Sequence, residues 1–418
     1  MKKWLLLLAV AGAFSQAAGS ARAQDWSFTP LPQALWGGVA SSADGMKLVA
    51  DGYASGIWVS TNRGYSWTAV DASATRWSAV ASSADGTKLV AVSQDASGAI
   101  YTSTNSGQNW QPTTAPIDNY HSVASSPDGT KLAAASWDWG AWGIYTSSNS
   151  GVTWVRTAAV PQTGYFQSVA ISADGRNVAA AGGALSLIGG TSTLTGGGEI
   201  DYSTNSGLSW DISDAPLDWE WSAIACSTNG KFMVAAAYGD TNGNPGPVYI
   251  STNSGVHWTL TTAPPLAYGA VACSPDGTKI TVACLNSYQT GPNGVYTSTN
   301  SGATWAEDKT LTDSGSIAYS ADGTKRVAST AGGWLVPSYV AVSPLLATSA
   351  GPLLTISEAS NHVVLSWPTS AAGYTLESAT NLVAGSWSSI SNGITTAGSN
   401  YLFTNSMTNK GTFFRLKQ

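Results

Sequence analysis

Carboxylates are the residues of this chain that most readily suggest chemistry. Residues 25–343 contain only three glutamates, Glu199, Glu220 and Glu307, and Asp138 lies in a tryptophan-rich segment of the same region. Two carboxylates about 5 to 10 Å apart are the minimum requirement for hydrolysing a glycosidic bond. Glu220 with Asp138 is the catalytic pair to consider first, although ordinary solvated carboxylates give the same picture.

Aromatic side chains lie close to these carboxylates in the sequence and favour ligand binding over catalysis. Exposed rings beside a few polar groups are typical of a carbohydrate-binding surface. The candidate ligand-binding residues are Tyr120, His121, Trp137, Asp138, Trp139, Trp142, Trp219, Trp221 and Asp240. The alternative is that these segments simply pack against one another.

Other chemistries find little support in the sequence. Asp240, Asn242 and Asn244 resemble the start of a calcium loop, but Pro245 and Ser251 occupy its glycine and bidentate glutamate positions. The three histidines are scattered, and the chain contains neither a GxSxG elbow nor a GxxxxGK[ST] phosphate loop. We therefore predict no metal site and no cofactor.

Two repeated phrases must position these residues. The first, V-A-x-S-x-D-G-x-K, has its turn at Asp44, Asp85, Asp128, Asp174, Asn229, Asp276 and Asp322. The second, S-T-N-x-G-x-x-W, ends at Trp67, Trp110, Trp154, Trp210, Trp258 and Trp305. From Val39 to Ile317 the first phrase recurs after 41, 43, 46, 55, 47 and 46 residues. A period of this length that holds several short strands is typical of a β-propeller blade.

Each phrase predicts a tight hairpin. Asp-Gly tolerates the positive φ of a two-residue turn, and an Asn side chain accepts hydrogen bonds from amides a few residues further on. We call the second phrase the Asn box. Both phrases fall on one face of a propeller, the box face, and we expect the box tryptophan to pack over its turn. The connecting loops fall on the opposite, variable face.

The order of the repeats predicts how the ring closes. The last unit lacks its tryptophan strand, while Trp26 near the N-terminus aligns with Trp110 and supplies one. We predict an all-β, seven-bladed β-propeller over residues 25–343, whose last blade is completed by the N-terminal strand. Residues 344–418 contain alternating strands and predict a small β-sandwich of fibronectin or immunoglobulin character.

The Asn box resembles the Asp-box, or BNR repeat, of sialidases and other secreted propellers. Asparagine stands where that family has aspartate, at Asn62, Asn105, Asn149, Asn205, Asn253 and Asn300. The resemblance implies that the boxes are fold elements on the face away from the functional site. Because asparagine replaces six carboxylates, we expect no calcium at the boxes. A sialidase also requires three converging arginines, and of the propeller arginines only Arg76 is expected near the variable face.

The variable face carries both the insertions and a series of aromatic residues. Long loops are expected at residues 136–143, 182–199, 237–247 and 284–294. In six of the seven repeats an aromatic residue stands three residues before the inner-strand Val or Ile, and Ser314 takes this place in the last repeat. The six aromatic residues are Trp36, Trp77, Tyr120, Phe166, Trp221 and Tyr268. These rings either form a stacking platform at the channel mouth or wedge between neighbouring blades.

Composition limits the partners and the compartment. Residues 1–24 combine two lysines with an apolar run and small residues, which predicts a secretory signal peptide and a secreted, periplasmic or cell-surface protein. The formal net charge of −6 argues against nucleic acid, and no other segment is apolar enough to span a membrane. Three cysteines, Cys226, Cys273 and Cys284, cannot all form disulfides with one another. We expect them to be small buried core residues; the alternatives are that two of them form one disulfide or that they are reactive thiols.

The expected function is a binding or scaffold module for a polysaccharide or a cell-envelope protein, and the alternative is a glycoside hydrolase or lyase.

Overall fold

The computed structural model divides the chain between Ser343 and Pro344 into two compact units. In the first unit it describes residues 26–32, 34–53, 55–70, 76–94, 98–136, 143–157, 164–188, 191–196, 198–240, 242–284, 294–308, 311, 315–320, 323–329 and 340–343. In the second it describes residues 344, 355–359, 362–369, 375–379, 388–398, 400–406 and 413–417. Every regular element in these ranges is a β-strand.

The described strands of the first unit form seven antiparallel sheets, numbered 1 to 7. The first, inner strands are Trp36–Ser41, Trp77–Ser82, Tyr120–Ser125, Gly164–Ile171, Trp219–Cys226, Tyr268–Cys273 and Ser316–Tyr319. The second strands are Leu48–Gly52, Leu89–Ser93, Leu132–Ser136, Val178–Ile188, Met233–Asp240, Ile280–Cys284 and Lys325–Ser329. The third strands are Gly56–Ser60, Ile100–Ser103, Gly143–Ser147, Ile200–Ser203, Val248–Ser251, Val295–Ser298 and Val340–Pro344. The outer strands are Thr68–Val70, Gln111–Pro112, Val155–Arg156, Asp211–Ile212, Thr259–Leu260, Ala306–Asp308 and, for sheet 7, Ser27–Phe28. Sheet 4 has an additional strand, Thr191–Gly196, beside its second strand.

The sheets contact one another in cyclic order. Each inner strand contacts that of the next sheet, and the inner strand of sheet 7 contacts that of sheet 1. The contact between sheets 7 and 1 includes a hydrogen bond from Ser329 Oγ to the Gly37 carbonyl at 2.7 Å. On the box face, Lys325 Nζ donates to the Asp44 carbonyl at 2.7 Å. Small and β-branched residues on the second strands are completely buried between the sheets.

The N-terminal strand completes sheet 7. Ser27 pairs with Val342 and Phe28 with Ala341, so Ser27–Phe28 lies along the edge of Val340–Pro344. This is the position that the alignment of Trp26 with Trp110 predicts. Pairing between the two ends of the first unit covers a strand edge that would otherwise be open to other chains.

Both repeated phrases form the expected turns. In the second box, Asn105 Oδ1 accepts from the Asn109 amide at 2.9 Å, and Ser103 Oγ accepts from the Gly107 amide at 2.9 Å. Gly107 has a φ of 86°, and a Cβ there would lie 2.6 Å from Val59 Cγ1 of the preceding sheet. Glycine is therefore required for both conformation and space.

The boxes and the Asp-Gly hairpins lie on the same face. The Ser106 amide of a box donates to the Thr87 carbonyl of a hairpin at 2.9 Å, and equivalent bonds recur in the other box-bearing sheets. Trp258 Nε1 donates to the Gly255 carbonyl of its own box at 2.8 Å, which confirms that this tryptophan packs over its turn. The box face is thus a repeated structural surface.

The series of aromatic residues forms wedges between the sheets. The ring centroids of Trp77 and Tyr101 are 5.3 Å apart and those of Tyr120 and Tyr145 are 5.6 Å apart, in T-shaped pairs. Tyr120, Trp221 and Tyr268 are completely buried. The wedge interpretation is therefore correct for these rings, because no ligand can reach their faces without opening the sheets.

The second unit contains two sheets among its described residues. One has the order Thr355–Ala359, His362–Pro368, Asn400–Ser406, Ile394–Ala397, and the other the order Ser388–Ser389, Thr375–Ala379, Phe413–Lys417. Leu365 and Trp367 of the first sheet share a buried cluster with Leu376 of the second. The fibronectin or immunoglobulin character of this unit stays a prediction.

Candidate functional site

A β-bulge near the variable face displaces residues from the inner strands. The pairing register shifts at the same place in sheets 1 to 6, and the residues left out of the ladder are Gly37, Gly38, Ser78, His121, Gln167, Ser222 and Gly269. Bulges turn a side chain away from its regular direction and are common beside functional sites. Only His121 and Gln167, in adjacent sheets 3 and 4, carry large polar side chains at this position.

His121 contacts a glutamine from the neighbouring sheet. His121 Nδ1 and Gln94 Nε2 are 2.9 Å apart across the boundary between sheets 2 and 3. In this amide orientation Gln94 donates and the imidazole nitrogen accepts. Burial lowers the pKa of His121 to about 4, so the ring is neutral at physiological pH. Nδ1 of this neutral ring is engaged by Gln94, and Nε2 is buried.

Gln167 makes the corresponding contact on the other side. Its Nε2 donates to Glu220 Oε1 at 3.3 Å across the boundary between sheets 4 and 5. We call Gln94, His121, Gln167 and Glu220 the mouth cluster. The four side chains form two hydrogen-bonded pairs, one between sheets 2 and 3 and the other between sheets 4 and 5. The displaced residues of sheets 1 and 6 are glycines.

The mouth cluster continues into a partly exposed aromatic hairpin. Trp219 and Asp240 are paired across the ladder of sheet 5, directly beside Glu220. Asp240 accepts from the Asn242 and Asn244 amides at 2.9 and 2.8 Å, and the bonds to Asn244 are the main reason that its pKa is lowered. Asp240 therefore caps its own loop. Trp219 is half-buried and keeps part of its surface accessible.

The residues predicted from the sequence to bind ligand lie in different surroundings in the structure. The structure places Trp219, Glu220 and Asp240 side by side in sheet 5, and it places His121 in sheet 3 against Gln94. The prediction that Tyr120 and Trp221 bind ligand is wrong, because both rings are completely buried between sheets. Trp137, Asp138, Trp139 and Trp142 lie outside the described residues. The pairing of Glu220 with Asp138 therefore stays a prediction.

Sequence reasoning missed several residues of this face. Gln94 and Gln167 were not singled out, although Gln167 interrupts a position held by glycine or serine in most repeats. Arg76 lies over the Tyr53 ring, with 5.3 Å between Cζ and the ring centroid. The Arg76 carbonyl also accepts from the Gln94 amide at 2.9 Å, which links this pair to the mouth cluster.

Two buried aspartates lie between the sheets. Asp51 Oδ1 accepts from the Gly38 amide at 2.7 Å, and burial raises the pKa of this carboxyl to about 7. Asp201 is completely buried, and neither of its oxygens has a hydrogen-bond partner within the described structure. Burial, assisted by nearby Glu199, raises the pKa of Asp201 to about 8. At pH 7 the Asp201 carboxyl is therefore largely protonated, whereas the Asp51 carboxyl titrates close to this pH.

Other functional signals are missing from the described part of the chain. No group of three or more His, Cys, Asp or Glu side chains is arranged there to hold a metal ion. No disulfide joins cysteines within the described structure, and burial raises the pKa of the Cys226 thiol to about 12. The described ranges contain no helix that is long and apolar enough to cross a membrane.

Comparison with known proteins identifies the class of fold. No protein-family model and no curated protein matches this sequence. A GH74 xyloglucanase from Xanthomonas campestris matches in structure with a TM-score of 0.57 and 17% identity, over 82% of this chain and 59% of that chain. YCF48 from Cyanidioschyzon merolae matches with a TM-score of 0.54 and 15% identity, over 77% of this chain and 98% of that chain. Hydrazine synthase from Kuenenia stuttgartiensis matches with a TM-score of 0.56 and 15% identity, over 73% and 94%.

These similarities show a fold and leave the activity open. The similar proteins are β-propellers, so this chain has an all-β fold of the propeller type. The chain spans less than two thirds of the length of the GH74 enzymes that it matches. Since the same fold carries glycoside hydrolysis in one neighbour and a bound D1 peptide in another, function must be argued from the site.

Proposed function

We propose that this protein is a secreted, seven-bladed propeller that binds a carbohydrate through its variable face. The observation that carries the proposal is the mouth cluster, in which two bulged inner strands present His121 and Gln167 beside Gln94 and Glu220. The box face is occupied by repeated structural bonds. The ligand surface is therefore the face where loop length and side chains differ from sheet to sheet.

The chemistry of the mouth cluster suits sugar hydroxyl groups. The amides of Gln94 and Gln167 and the carboxylate of Glu220 supply both donors and acceptors. Trp219 adds an aromatic surface beside them, and the loop containing Trp137, Trp139 and Trp142 would enlarge it. Binding sites of this kind combine apolar walls with a few fixed polar groups. We do not propose a sialidase site, because it requires three converging arginines and the sequence does not place three of them on this face.

The test is a glycan and polysaccharide array probed with purified protein. His121→Ala and Gln167→Ala are expected to lower glycan affinity at least tenfold. Each substitution removes a side chain of the mouth cluster and the hydrogen bond that positions its neighbour, Gln94 or Glu220. Gln108→Ala is the matched control because Gln108 is an exposed residue of a box on the opposite face. The proposal fails if no glycan binds, or if the control variant loses as much affinity as the mouth variants.

A second candidate function is glycoside hydrolysis, favoured by the position of Glu220 in the mouth cluster. The GH74 neighbours show that propellers of this type can act on a polysaccharide. A partner carboxylate is required, and Asp138 is the one we would test. Products released by wild type but not by Glu220→Gln or Asp138→Asn would establish this activity, and intact bound sugars would refute it.

A cell-envelope protein is the remaining class of partner. YCF48 is a propeller of similar length that has been solved with a bound D1 peptide. A failure of the glycan array together with capture of an extracellular protein through the variable face would move the assignment to a scaffold. In either case we propose that the second unit is a spacer that follows the propeller.

A further inference from the structure

The boundary between sheets 6 and 7 contains a buried polar network. Arg326 Nη1 donates to Thr297 Oγ1 at 2.7 Å and to Thr281 Oγ1 at 3.1 Å. Arg326 Nη2 lies 3.5 Å from Asp308 Oδ2, and the side chains of this ion pair are only 1% and 4% exposed. Burying an ion pair so completely costs desolvation energy that its attraction does not always repay.

The first described residue of the chain completes this network. Trp26 Nε1 donates to Asp308 Oδ2 at 2.7 Å, and Arg326 Cζ lies 4.8 Å from the Trp26 ring centroid. Trp26 thus offers an N–H donor to the anion and an aromatic face to the cation. Directly after it, Ser27–Phe28 pairs with sheet 7, and the Thr29 amide donates to the Val340 carbonyl at 2.9 Å.

The equivalent boundary between sheets 1 and 2 is apolar. The repeat aligns Thr281, Thr297, Asp308, Arg326 and Trp26 with Val49, Val59, Val70, Leu89 and Trp110, and these five equivalents pack in one hydrophobic cluster. The Trp110 indole N–H is buried there without a hydrogen-bond partner in the described structure. The fold therefore does not require charge at this position, and the ionic network needs a different explanation.

The need for the N-terminal strand to pair with the correct sheet explains the network. Every other outer strand follows its own sheet directly in the chain, whereas Ser27–Phe28 must find a sheet whose third strand begins at Val340. Because the repeats are similar in sequence, pairing of Ser27–Phe28 with the third strand of another sheet competes with pairing to sheet 7. We propose that Trp26, Asp308 and Arg326 form a closure latch, which directs the N-terminal segment to sheet 7 because at any other position Asp308 loses its indole donor and Arg326 loses its aromatic face.

The first experiment compares two tryptophan variants in the full chain. Trp26→Phe keeps the ring face and loses the donor to Asp308, while Trp110→Phe removes an N–H that has no partner. Hydrogen exchange followed by mass spectrometry should show at least tenfold faster exchange at residues 340–344 in Trp26→Phe and no change there in Trp110→Phe. Equal exchange in the two variants would overturn the latch.

The second experiment separates selection from stability. Arg326→Leu together with Asp308→Thr restores residues that the repeat carries elsewhere. The melting temperature of this double variant should equal or exceed that of wild type, whereas its recovery as closed monomer after refolding should fall at least twofold, as measured by light scattering and by exchange at residues 340–344. Full recovery of closed monomer by the double variant would contradict the proposal.

Discussion

Asp201 makes the stability of this propeller depend on pH in an unusual direction. It occupies the third-strand position that holds Trp58, Tyr101, Tyr145, Tyr249 or Tyr296 in other sheets. Its pKa is raised from 3.8 to about 8 by burial and by Glu199. Between these values the unfolded chain releases the proton and the folded chain retains it. Stability from this group is therefore fully present below pH 4 and is lost as pH rises to about 8.

The magnitude follows from the size of the shift. One pKa unit corresponds to about 1.36 kcal/mol, so a shift of roughly four units removes about 5 to 6 kcal/mol between pH 4 and pH 8. This is an upper limit, because local separation of the sheets lets water reach the carboxylate. Asp201→Asn is nearly isosteric and does not titrate. The free energy of unfolding of this variant should match that of wild type near pH 4.5 and exceed it by several kcal/mol near pH 8.5.

Urea unfolding between pH 4.5 and pH 9 measures this difference, with tryptophan fluorescence as the signal. Asp211→Asn is the matched control, because Asp211 is an exposed acid on the adjacent outer strand of the same sheet. The control should follow wild type at every pH. A difference between wild type and Asp201→Asn that stays constant with pH, or that favours wild type at pH 8.5, would refute the reasoning.

Three further predictions follow from the boxes and the mouth cluster. Asn105→Ala should lower the free energy of unfolding by about 1 to 2 kcal/mol in a urea titration, because the Asn109 amide loses its acceptor, while Asn105→Asp should keep most of it. Gly107→Ala should cost more than about 1 kcal/mol and lower the melting temperature, because its φ of 86° disfavours alanine and its Cβ would meet Val59. Glycan affinity measured by calorimetry should be constant from pH 5.5 to pH 8, because His121, with a pKa of about 4, stays neutral throughout.

Much of the architecture could be predicted from the repeats. Asp-Gly and Asn-x-Gly fix turns through local backbone chemistry, so their hairpins were evident from a few residues. The alignment of Trp26 with Trp110 predicted the N-terminal partner of sheet 7. The strand pairing at Val340–Pro344 agrees with that alignment. Local signals sufficed because each sheet is formed almost entirely from consecutive residues.

The candidate site was harder to predict because it depends on contacts between sheets. Tyr120 and Trp221 were expected at the surface as well as in the core, and only packing against the neighbouring sheet decides between these positions. Gln94 and His121 are 27 residues apart in sequence, and their contact appears only when sheets 2 and 3 are adjacent. The role of Gln167 depends on a bulge, which no local propensity specifies.

The strand Val340–Pro344 has a mechanical consequence for the whole protein. It is flanked on one side by Ser27–Phe28 and on the other by Lys325–Ser329, and the second unit begins at its last residue. A pull applied through residues 344–418 would therefore act along a strand that is hydrogen bonded at both edges. Such a strand resists force by shear, in which many bonds must break together. Under such a load the propeller would stay closed until the N-terminal segment detached.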